Sequence, residues 1–276
     1  MDAIAQARSF FQSNGRDIDR ARFEHHFGDL SLEELLSILG RYQNSDGGFG
    51  NGLEPDISAP DSNPFAIDLA LQVCIQARVP GEHELLRRTV DYLESTQTEE
   101  GEWRLTEGVY AQDLAPWFQG WEWPNLNPAC PIAGHLQELG LGSERLHGRV
   151  ARLFERLADP LDLVSDEFYK IGQYATYFFP QEEHPQRDLY LSGVLWWLIR
   201  QHSTGKLADN GHFFEYVRSP HTYIGKQLPA SILAGRLDSL AAEQEEDGGW
   251  PTPYDPHWRG WVTIQNLLIL RAFDRI

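Results

Sequence analysis

The apolar residues of this chain recur with the period of an α-helix, and they do so in two alternating patterns. In the first pattern, apolar residues cover one face of a segment while Arg, Asp and Glu cover the other. That distribution is typical of helices with one buried side. The predicted outer helices are Leu32–Gln43, Glu82–Gln97, Ser143–Ala158, Arg187–His202 and Ala230–Gln244.

The second pattern is apolar on nearly every side, which predicts fully surrounded helices. The predicted inner helices are Ala3–Ser13, Pro64–Ala77, Pro128–Leu139, Ser165–Phe178 and Trp261–Phe273, with Ala208–Gly225 as a weaker sixth candidate. No segment shows the pattern of a strand. We therefore expect an all-α fold, an α/α toroid of about five to six helical hairpins with inner and outer helix rings.

A turn motif recurs at the ends of three predicted outer helices. It runs from a glutamine through acidic residues and glycine to an aromatic residue, and its copies are Gln43 to Phe49, Gln97 to Trp103 and Gln244 to Trp250. Glycine ends a helix because it accepts a left-handed backbone at little steric cost. The aromatic ring is then expected to cover the end of the helix pair, and the glutamine to bind exposed backbone groups.

These Gln-x-x-x-Gly-x-Trp turns between helix pairs resemble the terpenoid cyclase and protein prenyltransferase superfamily. The resemblance implies an α/α toroid around a central cavity. Two functional motifs of the superfamily are absent: there is no Asp-x-Asp-Asp run, and Asp255 and His257 are not followed by a zinc-binding cysteine. The resemblance therefore implies the fold and carries no catalytic residue across.

The composition of the chain bears on its domain organisation and excludes some classes of binding partner. The 276 residues are 41% hydrophobic, and no linker divides them, so a single domain over 1–276 is expected. The formal charge of −18 argues against nucleic acid and against anionic membranes. The segment from Met1 to Phe11 is not a signal peptide and no apolar run could span a bilayer, so a cytoplasmic protein is expected. Cys74 and Cys130 are interpreted as buried hydrophobes, and no metal or cofactor is predicted.

Three loops carry the candidate chemistry. The first, before the inner helix at Pro64, contains Glu54, Asp56 and Asp61 among prolines. Carboxylates in a stiffened loop can share a proton, bind a cation or act as general acid and base. The alternative is structural: Asp61 or Asn63 caps the helix and the other acids are solvated.

The second loop contains Asp113 and the three tryptophans Trp117, Trp121 and Trp123. Such rings can line a pocket for a polyprenyl chain or a sugar, or can stabilise a carbocation. Local packing is the alternative.

The third loop holds Asp255 and His257 as candidate catalytic residues, with Trp258, Arg259 and Trp261 as candidate binding residues. Arg259 either binds an anionic substrate or forms an ordinary ion pair. Because the three loops hold matching places in the repeat, we expect them to converge at one end of the ring.

Four further residues bear on the site. Tyr169, Tyr174 and Tyr177 are expected to point into the cavity from an inner helix. Asp68 is unusual, since a carboxylate on an apolar helix must be paired or functional.

Three hypotheses remain open at this stage. The first is a terpenoid cyclase-like enzyme that acts on an isoprenoid or another apolar small molecule by acid catalysis. The second is a carbohydrate-active enzyme with a Trp platform, and the third is a non-catalytic binding or scaffold toroid. The third predicts an exposed apolar patch and no converging titratable pair.

Overall fold

The structure is a computed structural model that describes residues 2–112, 114–207 and 209–276. Those residues form fifteen α-helices and no β-strand, which confirms the all-α prediction. In chain order the helices are α1 Ala3–Ser13, α2 Asp17–Phe27, α3 Leu32–Leu39, α4 Pro64–Gln76, α5 Glu84–Thr96, α6 Glu107–Tyr110, α7 Pro116–Gln119, α8 Ala129–Glu138, α9 Glu144–Leu157, α10 Phe168–Phe178, α11 Arg187–Thr204, α12 Asn210–Tyr216, α13 Tyr223–Gln227, α14 Ala230–Ala242 and α15 Arg259–Ala272. Three 3-10 helices, Gly40–Tyr42, Pro160–Val164 and Pro256–Trp258, join them.

The helices belong to two compact units, which we call the middle unit and the terminal unit. The middle unit takes Leu32–Asp159 and Thr176–Glu182, and the terminal unit takes Met1–Ser31, Pro160–Ala175 and Glu183–Ile276. The single toroid domain remains a prediction.

In the middle unit, α4 packs along α8, and α8 packs against α9. Helix entry follows the sequence chemistry. Asn63 caps α4, because its side-chain oxygen accepts from the backbone N–H of Ala66 at 2.9 Å, and Pro64 stands at the first helical position. Ser143 caps α9 in the same way through Leu146.

In the terminal unit, α15 packs against α1, α2 and α14, and α12 packs against α14 and α15. The sequence patterns did not predict α2. Its buried side includes Asp19 and Arg22, which are both fully buried, so apolar periodicity does not mark it. Arg16 pairs with Asp19 at 2.9 Å, and the Arg22 guanidinium lies 3.7 Å from the ring centre of Trp261. Burial lowers the pKa of Arg22 to about 9.

The three turn motifs have the same hydrogen bonds. Each glutamine side chain donates to the carbonyl of the glycine four residues on and to a carbonyl in the first turn of another helix. The second acceptors are Leu85 on α5 at 3.0 Å, Leu146 on α9 at 3.1 Å and Ala3 on α1 at 2.9 Å. These contacts bear out the predicted backbone binding by glutamine.

The turns also explain their glycines and aromatic residues. Gly47, Gly101 and Gly248 all have positive φ, and a Cβ on any of them would overlap a carbonyl oxygen of the neighbouring helix. The rings of Phe49, Trp103 and Trp250 are buried. Trp103 and Trp250 each donate to a carbonyl ten residues earlier, Leu93 at 2.8 Å and Leu240 at 2.7 Å.

The third turn corrects one sequence prediction. Helix α1 was placed among the inner helices, yet Gln244 binds Ala3 of α1 as Gln97 binds Leu146 of α9, a predicted outer helix. Helix α1 is also buried on one side, through Ala7, Phe10 and Phe11. Helix α1 therefore makes the same contact with its turn as α9 makes, and its single buried side differs from the predicted helix that is apolar on nearly every side.

The weaker candidate Ala208–Gly225 contains two helices, α12 and α13. The segment between them contains Pro220, which has no N–H to continue a helix. Ala208 lies outside the described residues.

Candidate functional site

The first two predicted loops meet in the middle unit. Ile57 and Leu114 form an isolated β-bridge, and the Ala115 N–H donates to the Asp56 carbonyl at 3.2 Å. Glu54 is buried, and its side chain accepts from the Asp56 N–H at 3.3 Å. Asp56 is half-buried and Asp61 is exposed. Asn63 caps α4, so the structural alternative for this loop holds at that residue. Asp113 lies outside the described residues.

The second loop supplies an aromatic wall, which we define as Phe65, Phe118, Trp121 and Trp123. The Phe65 ring lies edge-on to Phe118 at 4.7 Å and to Trp121 at 5.1 Å between ring centres. Trp121 lies 6.2 Å from Trp123, and both indoles are half-buried. Trp123 donates to the Tyr110 hydroxyl at 3.2 Å. Phe65 and Phe118 are buried by this packing, whereas Trp121 and Trp123 are partly exposed.

Trp117 differs from the other two tryptophans, because its side chain is 50% exposed. Phe118, the next residue, is buried in the apolar cluster with Ile57 and Leu105. Helix α7 thus turns Trp117 outward and Phe118 inward.

A carboxylate stands on α4 one turn beyond the aromatic wall. Phe65, Asp68 and Gln72 are spaced at i, i+3 and i+7 and so share one face of α4. Asp68 is therefore displaced from Phe65 by roughly 4.5 Å along the helix axis. The Asp68 side chain is 18% exposed. On α4, the buried Phe65 is thus followed one turn later by a carboxyl group that is partly exposed and whose Oδ1 atom is buried.

Two neighbours hold that carboxylate. His135 on α8 places its Nε2 3.4 Å from Asp68 Oδ1, and the Gln72 amide donates to Asp68 Oδ2 at 2.9 Å. The His135 side chain is only 2% exposed, so the imidazole lies on the buried side of the carboxylate. We call Asp68, Gln72 and His135 the carboxylate site. Sequence reasoning singled out Asp68 but missed His135, since a lone histidine on an apolar helix gives no sign of its partner.

The third loop lies in the terminal unit, where most of its side chains are engaged within the protein. Asp255 caps the 3-10 helix Pro256–Trp258 by accepting from the His257 N–H at 2.9 Å, and it also contacts the His257 ring. The backbone hydrogen bond from His257 is the main cause that lowers the pKa of Asp255. Both side chains are exposed. Trp258 is half-buried, edge-on to the buried Trp261 at 6.3 Å.

Arg259 has the partners of an ordinary ion pair. Its guanidinium contacts Asp247 at 2.8 Å and Glu245 at 2.6 Å and lies 4.9 Å from the Phe10 ring centre. The hydrogen bond to Asp247 is the main cause that raises the pKa of Arg259. Of the two interpretations of Arg259, the ion pair is the one that these contacts support.

Tyr174 is also engaged. Its ring is 1% exposed, and its hydroxyl donates to Asp162 at 2.6 Å. Tyr169, in contrast, is 62% exposed and bonds to Tyr254 of the third loop. The convergence of all three loops remains a prediction; the described contacts join the first to the second.

Neither cysteine has the character of a nucleophile. Cys74 and Cys130 are buried and free, and burial raises the pKa of Cys74 to about 12. Burial also raises the pKa of Cys130. Both match their interpretation as small hydrophobes. Within the described ranges, no group of three or more His, Cys, Asp and Glu side chains is arranged to hold a metal ion.

A depression of about 290 Å³ lies at the other end of the α4–α8 pair. Its lining residues are Ile75, Arg78, Val79, Glu138 and Leu139. It is therefore distinct from the aromatic wall and from the predicted loops.

Comparisons with known protein families, with curated proteins and with solved structures found no match. None of the described helices combines the length and the hydropathy that crossing a membrane requires.

Proposed function

We propose that this protein is an enzyme that protonates an isoprenoid or another apolar substrate, with Asp68 as the general acid. The observation that supports it is the carboxyl group of Asp68, which is held between His135 and Gln72, is 18% exposed and lies one helical turn from Phe65 of the aromatic wall.

The proposed reaction follows from the chemistry of these groups. The Asp68 O–H bond breaks as its proton adds to an alkene carbon, and the neighbouring carbon becomes cationic. The partly exposed indoles of Trp121 and Trp123 stabilise that cation, as aromatic faces stabilise other cations. Loss of a proton from an adjacent C–H group then closes the cycle by returning a proton to the carboxylate. No oxidant or reductant is needed.

His135 has a positioning role in this proposal. The imidazole faces the carboxylate from its buried side, so it can fix the rotamer of Asp68 and exchange a proton with it. Gln72 donates to the other oxygen and so restricts the remaining rotation. A positioned general acid contributes roughly 10²–10⁴-fold to a rate.

Deuterium uptake tests the proposal directly. The protein is incubated in D₂O buffer with detergent-dispersed squalene, geranylgeraniol or geranylgeranyl diphosphate, and products are analysed by mass spectrometry. We expect an isomerised product that carries deuterium, and a loss of at least about 100-fold in the rate of Asp68→Asn. Asp91→Asn is the matched control, because Asp91 is an exposed carboxylate on α5. Circular dichroism verifies that each variant is folded.

Two outcomes would overturn the proposal. One is a folded wild-type protein that incorporates no deuterium into any of the three polyenes. The other is an active protein in which Asp68→Asn keeps its rate while Glu54→Gln or Asp56→Asn loses it, since the acid would then lie in the first loop. His135→Gln is expected to lower the rate by less than Asp68→Asn does.

One observation favours a second candidate, a non-catalytic binding protein. Four large apolar side chains are exposed on α11 and on the 3-10 helix packed against it, namely Leu161, Val164, Leu189 and Trp196. Exposed apolar residues grouped in this way mark interaction surfaces. Absence of proton transfer together with loss of partner binding in Trp196→Asp would favour this candidate over the enzyme.

A further inference from the structure

A second titratable cluster lies in the terminal unit and takes no part in the carboxylate site. Its members are Tyr169, Tyr254 and His212, whose side chains form a hydrogen-bonded series, and Asp209, whose carboxylate lies near the His212 ring. The Tyr169 and Tyr254 hydroxyls are 2.6 Å apart, and His212 Nε2 lies 2.5 Å from the Tyr254 hydroxyl. On the other side of the imidazole, Nδ1 lies 3.6 Å from Asp209 Oδ1.

The local fold holds the cluster in place. Asp209 caps α12, since its side-chain oxygen accepts from the His212 N–H at 2.7 Å. The same carboxylate therefore fixes both the start of the helix and the imidazole three residues on. Phe168 covers the His212 ring at 4.2 Å between ring centres. Tyr216 is buried, and its hydroxyl donates to the Phe168 backbone carbonyl at 3.4 Å.

Burial keeps the middle of the series uncharged. It is the main cause that lowers the pKa of His212 and raises that of Tyr254. At neutral pH, His212 is an imidazole and Tyr254 a phenol. The Asp209 carboxylate, 3.6 Å from Nδ1, favours the imidazole proton on that nitrogen, and in this tautomer Nε2 accepts from the Tyr254 hydroxyl. Tyr254 oxygen in turn accepts from Tyr169.

This direction of donation determines whether the exposed Tyr169 hydroxyl can donate or accept a hydrogen bond to a ligand. Tyr169 donates its only O–H to Tyr254, so its oxygen has a lone pair left to accept a hydrogen bond. The Tyr169 side chain is 62% exposed, so a ligand can reach that oxygen. An acceptor without a free proton selects a ligand that donates a hydrogen bond.

The charges around the cluster are mostly negative. Both Glu215 and Asp209 act on Tyr254 and help to raise its pKa. Two cations close to the cluster in sequence have other contacts: Lys170 pairs with Asp162 at 3.2 Å and with Glu167 at 3.5 Å, and the Arg218 guanidinium donates to the Glu215 carbonyl at 3.1 Å. Aromatic faces beside an acceptor and carboxylates favour a cationic donor.

We propose that Tyr169, Tyr254, His212 and Asp209 form a binding site for a ligand that carries an ammonium group. The ammonium N–H donates to the Tyr169 oxygen, beside the ring of Tyr169, and the carboxylates of Asp209 and Glu215 attract its charge at longer range. The net charge of −18 adds a long-range attraction for such a ligand. The site is independent of Asp68 and of its proposed chemistry.

Calorimetric titration with benzylamine tests this site, with benzyl alcohol as its uncharged isostere. We expect benzylamine to bind at least about tenfold more tightly than benzyl alcohol, because a hydrogen bond to a charged group is the stronger one. Tyr169→Phe is expected to weaken benzylamine about tenfold or more by removing the acceptor. Tyr223→Phe is the matched control, since that phenol belongs to α13 and bonds to Ser192.

A second measurement reports on the direction of donation without any ligand. Nitrogen-15 NMR of His212 is expected to show a neutral ring protonated on Nδ1, and Tyr254→Phe is expected to shift the Nε2 resonance by removing its donor. Equal binding of amine and alcohol, no saturable binding of benzylamine, an unaffected Tyr169→Phe variant, or a His212 ring protonated on Nε2 would each overturn the proposal.

Discussion

The turn that ends at Trp103 and the turn that ends at Trp250 lie in different units, yet they form the same contacts. In both, a glutamine donates to a glycine carbonyl and to the first turn of another helix, and an indole N–H donates ten residues back. The regions that follow them differ. One leads into the aromatic wall and α8, and the other into a loop that bonds to His212.

The difference separates two kinds of repeat residue. Residues of the turn satisfy backbone groups of neighbouring helices, so a change there alters every helix end that it supports. Residues of the following loops satisfy mainly local partners and can vary in chemistry from repeat to repeat. Turn variants should therefore alter stability alone, whereas site variants should alter function alone.

Gly248→Ala is expected to have the largest effect on stability. Gly248 has a φ of +93° and no room for a Cβ beside the Gln6 carbonyl. Left-handed strain and overlap together should lower the free energy of unfolding by about 2–5 kcal/mol in urea denaturation. The control is Gly52→Ala, where φ is +72° and the space is open, so only about 1–2 kcal/mol is expected. Equal losses in the two variants would contradict the role of the close approach.

Sequence analysis predicted these turns because their chemistry is local. A glycine after a helix and an aromatic residue two positions later can be recognised within seven residues. The boundaries of α4 and α9 were predictable for the same reason, since Asn63, Pro64 and Ser143 act on the helix that they begin.

The sites were predictable only in part, because their partners are distant in sequence. Asp68 stands out on an apolar helix, but His135, its partner on α8, does not. Helix α2 was missed because the fully buried Arg22 and Asp19 replace apolar residues on its inner side. A charged side chain can be buried when it packs against an aromatic ring or an opposite charge. Those partners come from tertiary contacts, so the hydropathy pattern of the sequence does not show them.

Gln97→Ala is expected to cause the second-largest loss in the free energy of unfolding. The Gln97 side chain is buried and donates to two carbonyls, Gly101 at 3.2 Å and Leu146 at 3.1 Å. Without the Gln97 amide, both carbonyls lose a hydrogen-bond donor. The free energy of unfolding should therefore fall by about 2 kcal/mol. Gln112→Ala, at an exposed position, should change it by less than about 0.5 kcal/mol. If Gln97→Ala instead abolished proton transfer by a protein of unchanged stability, turn and site would not be separable in the middle unit.

Arg259→Gln is expected to have the smallest effect on the free energy of unfolding, and it tests the ion pair between Arg259 and Asp247 in the third turn. Arg259 pairs with Asp247 inside the motif, where side chains are 23% and 46% exposed. A solvent-screened pair of this kind stabilises by less than about 1 kcal/mol. Hydrogen bonding to Arg259 is the main cause that lowers the pKa of Asp247. The stabilisation is therefore present above the ordinary pKa of an aspartate and is lost as the pH falls through its lowered value.

Wild type and Arg259→Gln should thus differ in melting temperature at neutral pH and converge in acid, and 1 M salt should shrink the neutral-pH difference. Benzylamine affinity should be unchanged in this variant, because Arg259 contacts Asp247 and Glu245 rather than the phenols. A melting difference that persisted below the titration of Asp247 would mean that Arg259 acts through its packing on Phe10, 4.9 Å from the ring centre, and not through the ion pair.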